Sequence, residues 1–192
     1  MEQITVLKAQ MRKELRRARR QLDGEELSRE SARLCRLLLE LPELQRAKTV
    51  FCYVSCGGEV ETHGLIRDLL ARGKRVLVPR CKGDGIMDCV AIESLDELCP
   101  GAMGILEPSA EAPAQDPAAV EFTVVPAVAC GEDGSRLGQG GGYYDRFLER
   151  VNCDHAAVCL ERFLLPAVPS ETHDRKMKCI VTQRRVLRFE VL

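Results

Sequence analysis

The chain has 192 residues, of which 45% are hydrophobic and 30% are charged, and its formal net charge is -1 at pH 7. This balance is typical of a globular domain with a hydrophobic core, and it predicts no general attraction to nucleic acid or to an anionic membrane. The sequence has no run of about 18 apolar residues and no apolar signal-peptide core near its start, so we expect a cytoplasmic protein with one domain over residues 1–192.

Two helices are predicted at the start of the chain. Over residues 3–22, apolar side chains recur every three or four positions and form one stripe, which consists of Ile4, Leu7, Met11, Leu15, Ala18 and Leu22. Asp23 has the position of an N-cap for a second helix that reaches about Leu41. We expect both helices to pack across one face of a sheet. Between Lys8 and Arg20 the first helix also carries seven basic residues and one acidic residue.

From residue 48 onward, short apolar runs replace the helical spacing. KTVFCYV at 48–54 and KRVLVP at 74–79 predict buried strands, and between them Thr62 is a good N-cap for a helix that ends at Gly73. Strand, helix and strand within about 30 residues predict a parallel βαβ unit. Further strands are predicted at 86–92, 121–129, 154–160, 179–182 and 185–191, with a helix at 142–151 and a long surface loop over 100–119. This alternation predicts an open α/β sheet with helices on both faces.

The ten cysteines raise the question of zinc or disulfide bonds. No Cys-x-x-Cys pair occurs, and none of the three histidines stands at zinc-finger spacing from a cysteine. Most of the cysteines lie inside apolar strings such as VFCYV and AAVCL. We therefore predict reduced thiols that act as small core residues, and the pattern leaves any redox role open.

Residues 136–146 read RLGQGGGYYDR and place four glycines within five positions. The run follows the strongest predicted strand and opens a helix, which is where α/β proteins bind ligands. Glycines there allow positive φ angles and the close approach of a ligand, and the amides at a helix start attract phosphate. The run matches neither GxxxxGK[ST] nor GxGxxG, since Tyr143 takes the place of the third glycine. The glycines alone therefore fit either a phosphate cradle or a flexible turn.

The neighbours of the glycine run favour the cradle. Arg136 offers bidentate hydrogen bonds to phosphate, and Tyr143 and Tyr144 are able to stack on a flat ring. Asp145, one turn into the helix, suits Mg²⁺, which binds one or two carboxylates together with nucleotide phosphates.

RLGQGGGYYDRFL closely resembles the signature of the 5-formyltetrahydrofolate cyclo-ligase family, also called methenyltetrahydrofolate synthetases. Other landmarks of the family follow in the same order along nearly the whole chain. They are Lys8 and Arg12, GGEVET at 57–62, VPRC at 78–81, GILEP at 104–108 and VPSETHD at 168–174. The chain departs from the pattern at Cys130 and Gly131, where many relatives have a bulky residue and an aspartate.

The resemblance implies a three-layer α/β sandwich of the NagB/RpiA-like kind, with a mostly parallel open sheet. It also implies the ATP- and Mg²⁺-dependent conversion of 5-formyltetrahydrofolate to 5,10-methenyltetrahydrofolate, with release of ADP and phosphate. In this reaction the formyl oxygen is phosphorylated and N10 then attacks the formyl carbon. We expect these small-molecule substrates, no nucleic-acid or membrane partner, and a monomer.

The resemblance also assigns functional residues. Mg²⁺ is expected at Asp145 and Asp174. The folate is expected to contact Val54, Glu59, Gln139, Gly140, Gly141, Gly142 and Tyr143. ATP is expected to contact Lys8, Arg12, Arg136, Leu137, Gly138, Gln139, Gly140, Gly141, Gly142, Tyr143 and Tyr144.

Two other functions are compatible with parts of the sequence. A sugar-phosphate isomerase or CoA-transferase-like enzyme would use a related α/β scaffold without ATP. A nucleic-acid-binding module would use the basic first helix. We interpret the remaining basic residues of that helix as a solvated face, namely Lys13, Arg16, Arg17, Arg19 and Arg20. Arg80 and His173 receive no role.

Overall fold

The computed structural model describes residues 2–101, 104–171 and 174–190. The α-helices in these ranges are α1 (Glu2–Arg20), α2 (Gly24–Leu39), α3 (Pro42–Arg46), α4 (His63–Ala71) and α5 (Tyr143–Arg150). The strands are β1 (Thr49–Cys52), β2 (Arg75–Gly83), β3 (Ile86–Ile92), β4 (Leu98–Pro100), β5 (Leu106–Pro108), β6 (Ala114–Gln115), β7 (Phe122–Pro126), β8 (Ala129–Gly131), β9 (Arg136–Leu137), β10 (Asp154–Val158), β11 (Leu164–Leu165), β12 (Cys179–Val181) and β13 (Val186–Arg188). No helix within these ranges is both long and apolar enough to cross a membrane.

The main sheet has eight strands in the order β13-β12-β10-β7-β1-β2-β3-β6. Its five central strands, from β12 to β2, are parallel to one another. The edge strands β13, β3 and β6 are antiparallel additions. This confirms the predicted mostly parallel open sheet, and the predicted βαβ unit is β1–α4–β2. Because β2 and β7 flank β1 on opposite sides, the carboxyl ends of β1 and β7 border the crevice in which such sheets bind ligands.

Helices cover both faces of the sheet, as β1 illustrates. Phe51 packs against α5, where the ring centroid of Phe147 lies 4.3 Å from its own. The next residue, Cys52, points to the opposite face, where Cys35 of α2 is its neighbour. On that side α2 packs against α4, and α4 packs on β2. All four residues of β1 are buried, which explains the unbroken apolar run in the sequence.

Helix α1 does not pack across a face of the sheet as predicted, although α2 does. Instead α1 crosses the carboxyl edge, where its side chains contact Ala127 after β7 and Asp174 before β12. The inward side of α1 combines the cations Lys8 and Arg19, each 5% exposed, with apolar residues of the predicted stripe that pack against the core. Those apolar residues are Met11 and Leu15, whereas Leu7 of the same stripe is 52% exposed. The helix therefore presents charge to the end of the sheet where ligands bind.

Two predicted elements are divided differently in the structure. The predicted strand at 121–129 is two strands, because after β7 the chain leaves the main sheet and β8 pairs with β9 and β11 in a smaller one. The predicted loop at 100–119 contains β5, which pairs with β4, and β6, which extends the main sheet beyond β3. These strands have two or three residues each, too few for a periodic pattern to emerge.

Thr62 precedes α4 as predicted but does not cap it through its side chain. Its hydroxyl instead donates a hydrogen bond to the Tyr53 carbonyl at 2.7 Å and accepts one from the Ser55 amide at 3.0 Å. Thr62 therefore stabilises the turn that leaves β1, which is the segment that carries Glu59.

All ten cysteines lie in the described ranges, and none of them is in a disulfide. Seven are buried, as the apolar strings around them predict. Burial raises the pKa of Cys35 to about 12 and that of Cys89 to about 12. These thiols are therefore protonated packing residues rather than nucleophiles.

Candidate active site

The glycine run forms a loop between β9 and α5 at the carboxyl edge of the sheet. Gly140 has a φ of 102° and Gly142 a φ of 68°, both in the left-handed region that favours glycine. Gly142 is also the N-cap of α5 and offers no side-chain acceptor. The first amides of α5 are therefore left for another acceptor, which is the arrangement expected of an anion-binding loop.

Helix α1 holds this loop from one side. Arg12 Nε donates a hydrogen bond to the Gly138 carbonyl at 2.8 Å. Arg16 donates from Nε to Gln139 Oε1 at 3.0 Å and from Nη2 to the Gln139 carbonyl at 2.8 Å. At Gly140 an added Cβ would lie 3.4 Å from the Arg12 guanidinium. The arginines of α1 and the bare backbone therefore lie in direct contact.

Two ion pairs flank the point where α1 meets the loop. Lys8 Nζ lies 2.5 Å from Asp174 Oδ2 and 2.7 Å from Glu171 Oε2. Burial opposes the charge of Lys8, but the hydrogen bonds to Asp174 and Glu171 outweigh it and raise the pKa of the amine. On the other side, Arg136 Nη2 lies 2.7 Å from Asp145 Oδ1.

Arg12 lies between these two ion pairs. Burial lowers the pKa of Arg12, the positive charge of Arg16 lowers it further, and the charges of Asp174, Arg136 and Asp145 also act on it. The structure thus brings the two carboxylates that the family resemblance assigns to Mg²⁺ close to cations that it assigns to ATP.

Arg136 is built into the loop as well as paired. It is 7% exposed, and its Nη1 donates a hydrogen bond to the Pro126 carbonyl at 3.2 Å. An added Cβ on Gly138 would lie 2.7 Å from that Nη1 atom, so only glycine fits there without a shift of the guanidinium. The guanidinium fixes Asp145 in the first turn of α5 while keeping further N–H groups for a ligand.

The segment after β1 reaches the opposite side of the loop. Val54 is buried. Glu59 Oε2 accepts a hydrogen bond from the Cys56 amide at 3.2 Å, and Glu59 Oε1 accepts one from Gln139 Nε2 at 3.3 Å. Gln139 therefore connects α1 to Glu59 across the glycine run.

Tyr144 supplies an orphaned polar atom at this junction. Its ring packs near Phe51, with the ring centroids 6.3 Å apart. The hydroxyl is buried and has no hydrogen-bond partner among the described residues. Burial raises the pKa of Tyr144, and Cys52 and Glu59 raise it further. An O–H group held inside without an acceptor is costly, and a bound ligand would relieve that cost. Tyr143 and Leu137 complete the loop, half-buried and buried respectively.

Two basic residues of α1 that we interpreted as part of a solvated face, Arg16 and Arg19, make specific contacts in the structure. Arg19 is buried, donates to the Ala127 carbonyl, and lies with its guanidinium carbon 5.3 Å from the ring centroid of Phe163. Arg16 is exposed but engages Gln139. The spacing of Lys8, Arg12, Arg16 and Arg19 by four and three residues places them on one face of the helix, and that signal was available in the sequence.

Arg80 serves the fold rather than the site. Its Nη1 donates to the carbonyls of Ser109, Ala110 and Ala112, and its Nη2 pairs with Asp88 at 3.0 Å. His173 lies outside the described residues.

Comparison with known proteins agrees with this geometry. The model of the 5-formyltetrahydrofolate cyclo-ligase family matches residues 4–183. The chain is 32% identical to the "Probable 5-formyltetrahydrofolate cyclo-ligase" of Schizosaccharomyces pombe, over 96% of this chain and 99% of that protein. It is 29% identical to the 5-formyltetrahydrofolate cyclo-ligase of Mus musculus, over 92% of this chain and 95% of that one.

Solved structures show the same fold. The NMR structure of Aquifex aeolicus 5,10-methenyltetrahydrofolate synthetase aligns with a TM-score of 0.84 at 34% identity, covering 95% of this chain and 92% of that one. A 5,10-methenyltetrahydrofolate synthetase from Mycoplasma pneumoniae aligns with a TM-score of 0.74 at 19% identity, covering 92% of this chain and 98% of that one, and shares the fold.

A parallel sheet that gathers a glycine loop, buried cations and carboxylates at its carboxyl edge is the framework of a ligand-binding α/β enzyme. Because one family model matches nearly the whole sequence, it narrows this class of enzymes to a single family. The chain belongs to the 5-formyltetrahydrofolate cyclo-ligase family and is an enzyme of the ligase class.

Proposed function

We propose that the chain converts 5-formyltetrahydrofolate to 5,10-methenyltetrahydrofolate and couples this reaction to the hydrolysis of ATP with Mg²⁺. The observation that carries the proposal is the position of Gln139. Its carbonyl and side chain accept from Arg16 on the cationic side of the loop, and its amide nitrogen donates to Glu59 on the other side. A nucleotide on one side and a folate on the other would meet across this loop.

The reaction needs activation of a poor leaving group. The formyl oxygen attacks the γ-phosphorus of ATP, and the bond between that phosphorus and the ADP oxygen breaks. N10 then attacks the formyl carbon and loses its proton, and the carbon–oxygen bond breaks to release inorganic phosphate. No nucleophilic side chain is required, so the protein contributes mainly positioning and charge stabilisation.

The cations around the loop suit the phosphates of ATP. Lys8, Arg12 and Arg136 provide charge-assisted donors, and the amides of Gly138 to Tyr144 provide a backbone cradle. Arg12 already approaches Gly140 closely and donates to the Gly138 carbonyl. These groups would bind the β- and γ-phosphates and hold the γ-phosphorus towards the formyl oxygen.

Asp145 and Asp174 would bind Mg²⁺ together with ligands from the nucleotide. Among the described residues, no group of three or more His, Cys, Asp or Glu side chains could hold a metal ion. Two carboxylates are nevertheless sufficient when nucleotide phosphates supply the other ligands, which is how Mg²⁺ usually binds. Bound there, Mg²⁺ would supply charge neutralisation at the phosphates.

The other side of the loop suits a pterin. Val54 offers apolar contact, and Glu59 offers carboxylate oxygens to the amino and ring N–H groups of the pterin. Tyr143 and the buried hydroxyl of Tyr144, which has no hydrogen-bond partner among the described residues, would lie between the two ligands. The burial of these groups would keep water away from the activated formyl carbon.

The decisive assay mixes the protein with MgATP and 5-formyltetrahydrofolate and follows the near-ultraviolet absorbance of the methenyl product. We expect an increase in absorbance that needs both ATP and Mg²⁺, with one ADP formed per methenyl group. An increase without ATP would point to a different chemistry, and no increase from correctly folded protein would overturn the proposal.

A further inference from the structure

A groove of about 340 Å³ lies between α5 and the start of β3, beside the glycine loop. Its walls combine the apolar side chains of Ile86 and Phe147 with the ring of Tyr143 and the guanidinium groups of Arg146 and Arg150. Ile86 is 50% exposed and contributes apolar surface to the groove. The volume lies in the range of small-molecule sites.

The two arginines stand one helical turn apart on α5 and turn towards the groove. Arg146 Nη1 donates to the Gly141 carbonyl at 2.9 Å, and Arg150 Nη1 donates to the Met87 carbonyl at 3.4 Å. In the described part of the chain, neither guanidinium lies within ion-pair distance of a carboxylate. Each therefore keeps donors and charge for an anionic ligand.

Two acidic residues, Asp88 and Glu149, also line the groove, and they differ in how far they offset the positive charge of the arginines. Asp88 pairs with Arg80 at 3.0 Å and with Lys82 at 3.4 Å. Burial opposes these pairs, yet they hold the pKa of Asp88 below its usual value. Glu149 lies exposed at the rim. The charge that faces the interior of the groove is thus positive.

The turn before β3 leaves space for the guanidinium of Arg146. Gly85 has a φ of 72°, and an added Cβ there would lie 1.7 Å from Arg146 Nη1. The guanidinium therefore occupies a space that any larger residue at position 85 would fill. Arg146 lies between the turn before β3 and the glycine loop.

We propose that this groove binds the p-aminobenzoyl-glutamate end of the folate, an inference that rests on the function proposed above. Tyr143 lines both the groove and the folate side of the loop, so a ligand that leaves the pterin site past Tyr143 enters the groove. An aromatic ring followed by two carboxylates matches the order of Tyr143 and Ile86 followed by the two arginines. The α- and γ-carboxylates of the glutamate pair with Arg146 and Arg150.

The first test varies the substrate and leaves the protein unchanged. The wild-type KM is measured for 5-formyltetrahydrofolate and for 5-formyltetrahydropteroate, which lacks the glutamate. We expect the KM of the analogue to be roughly tenfold higher or more, because two charge-assisted contacts are lost. We also expect p-aminobenzoylglutamate to inhibit as a competitor of the folate, and p-aminobenzoate to inhibit far more weakly.

The second test removes one arginine. Arg150→Gln is compared with Arg67→Gln, which removes an exposed arginine from α4 and gives the same change in net charge. We expect Arg150→Gln to raise the KM for 5-formyltetrahydrofolate roughly fivefold while leaving the KM for 5-formyltetrahydropteroate unchanged. Arg67→Gln should change neither KM.

The results separate the two proposals. Turnover of the glutamate-free analogue with the same KM as the folate would overturn the glutamate site while supporting the cyclo-ligase reaction. Equal inhibition by the two aminobenzoates would also overturn the glutamate site, and it needs no variant to fold. If no folate is turned over at all, the cyclo-ligase function itself fails.

Discussion

The side-chain amide of Gln139 donates a hydrogen bond from Nε2 to Glu59 Oε1 at 3.3 Å, across the mouth of the crevice between β1 and β7. The orientation of this amide is fixed by its two neighbours. Arg16 only donates hydrogen bonds and a carboxylate only accepts them, so Gln139 turns its oxygen to Arg16 and its nitrogen to Glu59. Arg16 is thus a positioning residue for a carboxylate that it does not touch.

This relationship predicts the effect of removing Arg16. In Arg16→Gln the amide of Gln139 is free to rotate, and Glu59 loses its preferred orientation. We expect the KM for 5-formyltetrahydrofolate to rise roughly fivefold, with a smaller change in kcat and in the KM for ATP. Steady-state kinetics with each substrate varied in turn provides the measurement.

Two further variants make the Arg16 prediction specific. Arg17→Gln removes the adjacent exposed arginine, which contacts no described residue by a hydrogen bond or ion pair, and should behave as wild type. Arg16→Lys keeps the charge and one donor and should recover part of the folate affinity. An equal loss in Arg16→Gln and Arg17→Gln would mean that only net charge matters.

The left-handed backbone of the loop predicts a cost for a methyl group at Gly142. Ala at a φ of 68° costs about 1–2 kcal/mol, and the added Cβ would lie 2.6 Å from Arg146 Nη1. We expect Gly142→Ala to lower the free energy of unfolding by at least about 1 kcal/mol and to reduce kcat/KM for both substrates. Urea unfolding and kinetics measure the two effects.

Gly64 provides the matched control for Gly142. It lies in α4 with nothing within 4 Å of an added Cβ and no positive φ. Gly64→Ala should therefore stabilise the protein by about 0.4–1 kcal/mol and leave turnover unchanged. If the two glycine variants lost stability equally, the loop geometry would not be the cause.

The ion pairs of the site predict coupled binding of nucleotide and metal. Lys8 and Arg136 pair with Asp174 and Asp145, so Mg²⁺ must compete with two cations for these carboxylates. In the proposed function, the phosphates of ATP would draw these cations away and supply further ligands. By linkage, a non-hydrolysable ATP analogue should tighten Mg²⁺ binding at least about tenfold, and Mg²⁺ should tighten the analogue equally.

Calorimetric titration of Mg²⁺ with and without the analogue tests this coupling. Asp145→Asn should remove most of it, and kcat/KM should fall by at least about tenfold at limiting Mg²⁺. Asp68→Asn, on the exposed side of α4, serves as the control. Equally tight Mg²⁺ binding with and without nucleotide would contradict the role given to the two ion pairs.

Because Arg19 is buried, we expect its substitution to lower the free energy of unfolding rather than to weaken binding to nucleic acid. Arg19→Met keeps the aliphatic stem but removes the donor to the Ala127 carbonyl and the contact with Phe163. We expect a loss of about 1–3 kcal/mol in the free energy of unfolding. Arg20→Met, on the exposed side of α1, should cost less than about 0.5 kcal/mol. Salt-sensitive affinity of wild type for RNA or DNA would instead favour a nucleic-acid module.

His155 predicts a pH dependence of stability. Burial lowers the pKa of its imidazole from the usual 6.5, and its Nε2 accepts a hydrogen bond from the Lys178 amide at 3.5 Å. The unfolded chain takes up a proton below pH 6.5 while the folded protein does not. The free energy of unfolding therefore falls as the pH drops from 6.5 towards the folded pKa.

Urea unfolding between pH 5 and pH 8 checks the role of His155. His155→Gln should flatten the part of the profile below pH 6.5 relative to wild type. Parallel profiles for the His155 variant and wild type would show that carboxylates alone set the acid sensitivity.

The sequence was sufficient for the elements whose pattern is local and repeated. The buried run around Phe51 and the βαβ spacing predicted the central parallel sheet, because a strand covered on both faces is apolar throughout. The division of 121–129 into β7 and β8 was not predictable, since both strands are buried and the apolar run continues through the point where the chain leaves the sheet. Short edge strands such as β6 leave no periodic signal.

The site was only partly accessible from the sequence. The glycine loop and the residues of the family signature were identified, because they lie together in the chain. The burial of Arg19 and the role of Arg16 were missed, since a basic helix face looks the same in the sequence whether it meets water or the carbonyl groups of a distant loop. Their partners, Ala127 and Gln139, are more than 100 residues away.

The contact between Lys8 and Asp174 joins positions 166 residues apart. During translation Lys8 is synthesised long before Asp174, so this ion pair forms only when nearly the whole chain is present. Until then that lysine lacks the carboxylates of Glu171 and Asp174 that neutralise its charge. The last twenty or so residues carry Asp174 together with β12 and β13, so a product truncated before them lacks both this ion pair and one side of the main sheet.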